Sequence, residues 1–360
     1  MNDTTLAVII TNYNYARFLP HALDSVLTQK PPFDEIIVVD DGSTDGSLDV
    51  LAGYSDRISV ISIANGGQLG AVRRGVMAAT SEYIYTLDAD DIAAPGLVAK
   101  VKETLADRRP VKIQFQLRAV REDGSCLGSA FPAFTAGYDT TAMLRDNETA
   151  GFYVSPPTSG QVFKREALIS LGFDSFDSSK PFDGSSSLAM PYLGEVISIS
   201  EPLAHYRVHG ASLSGWPNPT IPLLSKEIRI FRESWDEVVA ALGLEKPPFK
   251  HKPLYIVERN MMIACKQRKL FVLPEVWLYI TGIPSTHLPG KQKLLLIAWA
   301  LCLLIPSAAV RDHCIRVRRS SANRSKRLQA LVNMIKRQPA NPSNPEQSPR
   351  NTRLNALSLR

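Results

Sequence analysis

Four apolar runs, each ending in a polar loop and followed by apolar positions at helical spacing, organise the amino-terminal part of the chain. Residues 6–10 are continuously apolar and end in Thr11-Asn12-Tyr13-Asn14, after which Ala22, Leu23, Val26 and Leu27 mark one face of a helix over 20–29. The order returns at 35–39 with Asp40-Asp41-Gly42-Ser43 and a helix over 44–51, and at 58–63 with Asn65-Gly66-Gly67-Gln68 and a helix over 71–79. It returns again at 83–87 with Asp88-Ala89-Asp90-Asp91 and a helix opened by Pro95, a residue suited to the first helical position. Unbroken apolar strands are covered on both faces, so the pattern predicts an α/β fold: a Rossmann-like, mostly parallel sheet with helices on both faces. Ligands of such sheets bind beyond the carboxyl ends of the strands, where all four polar loops fall.

Past residue 108 the regularity weakens. Residues 112–120 and 126–131 read as strands joined by the turn Glu122-Asp123-Gly124-Ser125, and 161–163 as a strand leading into a helix over 164–171. Ile228, Phe231, Trp235, Val238 and Leu242 line one face of a helix over 224–242 that Gly243 stops. Residues 338–360, with four prolines and many Asn and Ser, read as disordered.

The chemistry begins with Asp88 and Asp90. Residues two apart in an extended backbone point to one side, so both carboxylates can converge on a cation while Ala89 faces away. A magnesium-like ion takes one or two carboxylates and fills its other positions with water and phosphate oxygens, which suits a diphosphate-bearing ligand. The competing reading is a solvated acidic loop.

At 360 residues the chain is long enough for an enzyme core, and its net charge of +6 is uneven. Residues 285–337 carry +10 and 338–360 carry +2, leaving 1–284 at −6. An acidic body, and a tail beyond Gln338 without aromatic residues for base stacking, argue against a nucleic-acid partner. Cys126, Cys265, Cys302 and Cys314 show no paired spacing and read as reduced thiols in a cytosolic protein. No signal peptide is expected from the first residues.

The ordered set Val8 to Asn14, Glu35 to Asp45, Asn65-Gly66-Gly67-Gln68, Tyr83 to Asp91, and Glu201-Pro202-Leu203 through Tyr206-Arg207-Val208-His209-Gly210 resembles the inverting family-two glycosyltransferases of bacterial type, which have the nucleotide-diphospho-sugar transferase (GT-A) fold. The resemblance spans roughly 6–213 and implies a metal-dependent transferase taking a nucleoside-diphosphate-sugar with Mn2+ or Mg2+. It implies that Thr11 and Tyr13 hold base and ribose, that Asp41 with Asp40 binds the base, that Asp90 ligates metal, and that Asp88 contacts ribose or metal. Gln68 and Arg73 would border the donor, although Arg74 stands where the family often has Asn. His209 would lie near the diphosphate, as a metal ligand or hydrogen-bond donor. The base that activates the acceptor hydroxyl is, in the family, an acid at the start of a helix; Asp183, eleven residues before Gly194, has the best spacing, with Asp174 and Asp177 as alternatives. Pro191 is expected to interrupt that helix.

Residues 294–310 are almost unbroken apolar character between Lys291 and Lys293 on one side and Arg311, Arg316, Arg318 and Arg319 on the other. A helix of that length would measure about 26 Å, short of a bilayer core, and Pro306 lies within it. The expected arrangement is a monotopic or re-entrant helix on the cytoplasmic face of the membrane, its basic flanks on anionic lipid; the alternative is a buried helix or a dimer interface. The chain thus divides into a transferase domain over 1–213, a helical extension over 214–285, a membrane-associated segment over 286–337 and a disordered tail over 338–360. The expected function is sugar transfer to a hydroxyl of a lipid-linked or polysaccharide acceptor in cell-surface glycan synthesis. Two alternatives remain: a sugar nucleotidyltransferase, which the absent glycine-rich triphosphate loop disfavours, and a nucleotide-sugar-binding scaffold without turnover.

Overall fold

The computed structural model describes residues 4–172, 175–177, 182–209, 219–268 and 272–319. The chain runs β1 (Leu6–Asn12), α1 (Leu19–Leu27), β2 (Glu35–Asp40), α2 (Ser47–Ala52), β3 (Ser59–Ser62), α3 (Gly67–Ala78), β4 (Tyr83–Asp88), β5 (Ile92–Ala93) and α4 (Leu97–Asp107). It continues with β6 (Lys112–Arg121), α5 (Thr140–Ala150), β7 (Gln161–Lys164), α6 (Arg165–Ser170), α7 (Ser185–Leu193) and β8 (Val196–Val208). Helices α8 (Ile221–Leu242), α9 (Leu254–Lys266), α10 (Leu273–Gly282), α11 (Gly290–Cys302) and α12 (Ala308–Arg319) complete it.

The eight strands of the described residues form one sheet in the order β3-β2-β1-β4-β7-β6-β8-β5. β3, β2, β1 and β4 are parallel, whereas β7 runs antiparallel to both β4 and β6. The chain moves outward from β1 to β3 and then crosses to β4 on the other side of β1. This reversal opens a crevice beyond the carboxyl ends of β1 and β4. Every residue of β1 is buried, and its side chains alternate between two cores. Ala7 and Ile9 pack with α3, α6, α7 and the α8 stripe of Ile228, Phe231, Trp235 and Val238. Leu6, Val8 and Ile10 pack with α1 and α4 on the other face. Gly75 lets α3 lie close to β1, since a Cβ there would come 2.5 Å from Ile9 Cγ2.

Several local expectations change. Pro95 does not open α4, which begins at Leu97 after Gly96 at φ +83°. The expected second strand of the hairpin reduces to isolated bridges at Cys126 and Phe131. Pro191 lies inside α7 without interrupting it. The Ser187 carbonyl, deprived of its partner four residues on, accepts instead from the Tyr153 hydroxyl at 2.9 Å. β8, for which the sequence pattern predicts no strand, pairs with β5 and carries Arg207 to the edge where Asp90 and Asp91 lie.

The apolar stretch 294–310 is not one helix. α11 ends at Cys302, and α12 starts at Ala308 after Pro306. Trp299, Ala300, Cys302 and Leu303 enter a third core with α9 and α10. Of the basic flank expected on lipid, three side chains turn inward. Arg311 donates to the Leu303 and Ile305 carbonyls, Arg318 pairs with Glu258 at 2.7 Å, and Arg319 pairs with Glu227 at 2.5 Å. Burial alone would raise the Glu258 pKa; the charges of Arg318 and Arg259 and the Tyr279 hydroxyl overcome it and bring the group down to about 2. A depressed carboxylate stabilises the fold above its unfolded pKa and loses that contribution as pH falls, here from about 4.5 to about 2. The contribution is on the order of 3 kcal/mol. Glu258→Gln should therefore lower stability at pH 7 by about that amount and flatten the acid limb of a urea-unfolding series against pH; unchanged midpoints would contradict this network.

Candidate active site

The four loops beyond the strands are knitted together by their own polar groups. Asn12 Nδ2 donates to Asp40 Oδ1 at 2.8 Å and to Ser43 Oγ at 3.1 Å. Asn14, at φ +58°, accepts from the Thr44 main-chain N–H at 2.7 Å through its side-chain oxygen. Asn tolerates this left-handed backbone better than most residues. Asp41 accepts from the main-chain N–H groups of Gly66 at 2.7 Å and Gly67 at 2.9 Å, where the positive end of α3 favours a carboxylate. Gly42 is required for the approach: it sits at φ +73°, and a Cβ would lie 2.9 Å from the Asn65 nitrogen. The four loops thus share one framework at the strand ends.

At its centre, Asp88, Asp90 and Asp91 bring carboxylate oxygens within 4.8 Å of one another. Asp88 Oδ1 accepts from Gln68 Nε2 at 2.7 Å and from Thr11 Oγ1 at 3.3 Å. Burial, then the Asp90 charge, push the Asp88 pKa up to about 7, and the same two causes raise Asp91 well above the ordinary carboxylate range. Three acids forced together repel one another, which is costly in a buried setting. The all-oxygen donor set fits a hard divalent cation, which would neutralise them. Asp88, Asp90 and Asp91 are the residues that would hold it.

His209 reaches this cluster through Asp90, its Nε2 lying 2.8 Å from Asp90 Oδ2. Its side chain is fully buried, against the rings of Phe18 at 4.9 Å and Tyr15 at 5.6 Å. That places His209 as the residue orienting Asp90, with its nitrogen engaged on the carboxylate. Arg207, to which the sequence reading gave no role, is the second support. Its main-chain N–H donates to Asp91 Oδ1 at 2.8 Å, and its guanidinium to the carbonyls of Asp90 at 2.8 Å and Glu122 at 2.7 Å. No signal in the sequence marked it beyond its place in the Tyr206-Arg207-Val208-His209 run.

The expected base lies on the opposite flank. Gln68 Oε1 accepts from the Phe182 N–H at 3.3 Å, so one side chain ties Asp88 to the segment that carries Asp183. Asp183 stands two residues before α7, close enough for its charge to raise the Asp88 pKa. It lines a cavity of about 280 Å³ with Phe152, Tyr153, Pro157, Ser187 and Leu188. A larger cavity of about 470 Å³, lined by Glu35, Arg57 and Ala78 among others, opens at the amino-terminal edge of β2, away from the loops. Asp177 is exposed, its N–H on Glu237, and Asp174 lies outside the described residues. Tyr13 is 46% exposed beside the loops, able to meet a ligand from solvent. Arg73 donates to the Phe176 carbonyl at 2.8 Å, and Arg74 is exposed on α3.

Residues 7–165 match the family model described as glycosyl transferase family 2. An uncharacterized glycosyltransferase of Nostoc sp. is 36% identical over 214 residues, covering 58% of this chain and 66% of that protein. The chondroitin synthase of Pasteurella multocida is 34% identical over 145 residues, covering 39% of this chain and 15% of that much longer protein. Among solved structures, S. aureus TarS 1–349 in complex with UDP aligns over 88% of this chain and 91% of its own, with a TM-score of 0.50 at 15% identity. That likeness shows the fold. Sequence match and fold agree on a glycosyl transferase family 2 domain in the amino-terminal part of the chain, on a GT-A architecture.

Proposed function

We propose that the protein is an inverting, metal-dependent glycosyltransferase that moves a sugar from a nucleoside-diphosphate-sugar to a hydroxyl of a lipid-linked or polysaccharide acceptor. The observation carrying this reading is the juxtaposition of the three-carboxylate cluster with Asp183 across the single side chain Gln68. Thr11, Tyr13, Asp40 and Asp41 border the side on which base and ribose would lie. Asp88, Asp90 and Asp91 would hold a divalent cation, which would supply charge neutralisation for a departing diphosphate. Asp183 accepts the proton of the acceptor hydroxyl as its oxygen attacks the anomeric carbon from the face opposite the diphosphate, and this single displacement inverts the configuration. Calorimetric titration of UDP, GDP and dTDP, with and without manganese, tests the donor half. Binding of one nucleotide that needs manganese supports the reading, and no binding by any of the three contradicts it.

The acceptor class rests on attachment to a membrane surface. Leu273, Trp277 and Leu278 of α10 are 56%, 65% and 48% exposed, and Leu294 of α11 is 70% exposed. Leu294, Ala298 and Leu301 follow helical spacing along one face that begins at Lys291. No helix among the described residues is long and apolar enough to cross a membrane. The chain beyond residue 319 adds eight Lys or Arg against the single acid Glu346. Apolar faces edged by cations suit the cytoplasmic surface of an anionic bilayer. Trp277→Ser combined with Leu294→Ser should reduce sedimentation with phosphatidylglycerol vesicles roughly tenfold or more. Native protein that leaves such vesicles unbound, or forms dimers through this face instead, would contradict the attachment.

A further inference from the structure

Lys112, on β6, is fully buried beneath the Asp183 cavity and no residue of the donor site uses it. Its Nζ donates to the Tyr153 hydroxyl at 2.8 Å, Ser155 Oγ at 3.0 Å and Ser187 Oγ at 3.3 Å. Each hydroxyl commits its own hydrogen elsewhere. Tyr153 donates to the Ser187 carbonyl at 2.9 Å, Ser187 to Gln161 Oε1 at 2.6 Å, and Ser155 to the Pro156 carbonyl at 3.4 Å. With these hydrogens turned elsewhere, the three oxygens face Nζ as acceptors, an arrangement that suits an ammonium with its three hydrogens and no lone pair.

Three neutral acceptors solvate a buried ammonium without cancelling its charge. The carboxylate whose charge acts on it is Asp183. Burial draws Lys112 well below the ordinary lysine range and pushes Asp183 up, and each charge opposes the other's shift. Among the described residues, other ionisable groups around the 183 segment include Tyr153 in the cavity wall, Asp88 beyond Gln68, Glu237 of α8, which accepts from Ser185, and Arg73, which donates to the Phe176 carbonyl. Asp88 and Glu237 are acids and disfavour a further negative charge. Lys112 supplies the opposing one.

We propose that Lys112 is a positioning residue for the transfer step, a buried ammonium that keeps the Asp183 carboxylate ionised and so able to take the acceptor hydroxyl's proton. This rests on the reading of Asp183 as the base. Two variants separate charge from packing: Lys112→Met keeps the length without charge, and Lys112→Gln keeps a hydrogen-bond donor without charge. Carbon-13 NMR of the full chain labelled at the Asp carboxyl carbons follows Asp183 directly, its signal being the one lost in Asp183→Asn. Both variants should raise its titration midpoint by about one pH unit, a tenfold change in the ionisation constant. With a donor in hand, the acid limb of kcat against pH should move upward with it, so that activity lost near neutrality returns as pH rises. A merely structural role would lower activity at every pH, spare Lys112→Gln, and leave the midpoint in place. An unmoved midpoint in whichever variant folds overturns the proposal. If the midpoint moves but Asp183→Asn still transfers sugar, the base assignment fails while the charge coupling stands.

Discussion

Replacing Asp183 with Asn is expected to lower sugar transfer by about a thousandfold while leaving nucleotide binding within about twofold of the native value. Asn is nearly isosteric and can still hydrogen-bond, but it cannot take a proton. Asp183 is separated from the carboxylate cluster by Gln68, so the nucleotide pocket keeps its contacts. The distinguishing measurement is the pair of kcat and nucleotide Kd on the same preparation. A parallel loss of binding would mean that Asp183 belongs to the donor pocket, and retained transfer would return the base to Asp177, Asp174 or another group.

Asp90→Ala should act on the other half of the reaction. It removes one of three converging carboxylates and releases His209 from its 2.8 Å contact. Manganese-dependent nucleotide affinity should fall about a hundredfold, whereas binding without manganese should change little. His209→Ala, which removes only the support, should cost about tenfold by the same titration. If the two variants weaken binding equally with and without metal, the cluster is an acidic structural site and not a cation site.

The loops that build the site were legible because an unbroken apolar run has one plain end, and four such ends carried Asp, Asn and Gly. Parallel pairing of β1, β2, β3 and β4 follows from those runs. What was hidden is what depends on distant partners. α2 begins at Ser47 and not at residue 44 because the Thr44 and Asp45 main-chain N–H groups bond to Asn14. β8 was missed because Pro202 and a register shift near Gln116 break its alternation. Arg207 and Lys112 look like solvent-facing cations in a strand, and their burial is set by partners more than 40 residues away. The apolar stretch 294–310 reads as one helix by composition, but it divides around Pro306 into α11 and α12, and Arg311, Arg318 and Arg319 turn inward to carbonyls and acids that composition does not reveal.

The most direct test of sugar transfer at this site is release of nucleoside diphosphate from a panel of UDP-, GDP- and dTDP-sugars in manganese, comparing the native chain with Asp90→Ala and supplying a hydroxyl acceptor. Release from one donor by the native chain, absent in the variant and in chelator, is the predicted result. Release that survives both the substitution and the chelator would contradict a reaction run through the Asp88, Asp90 and Asp91 cluster.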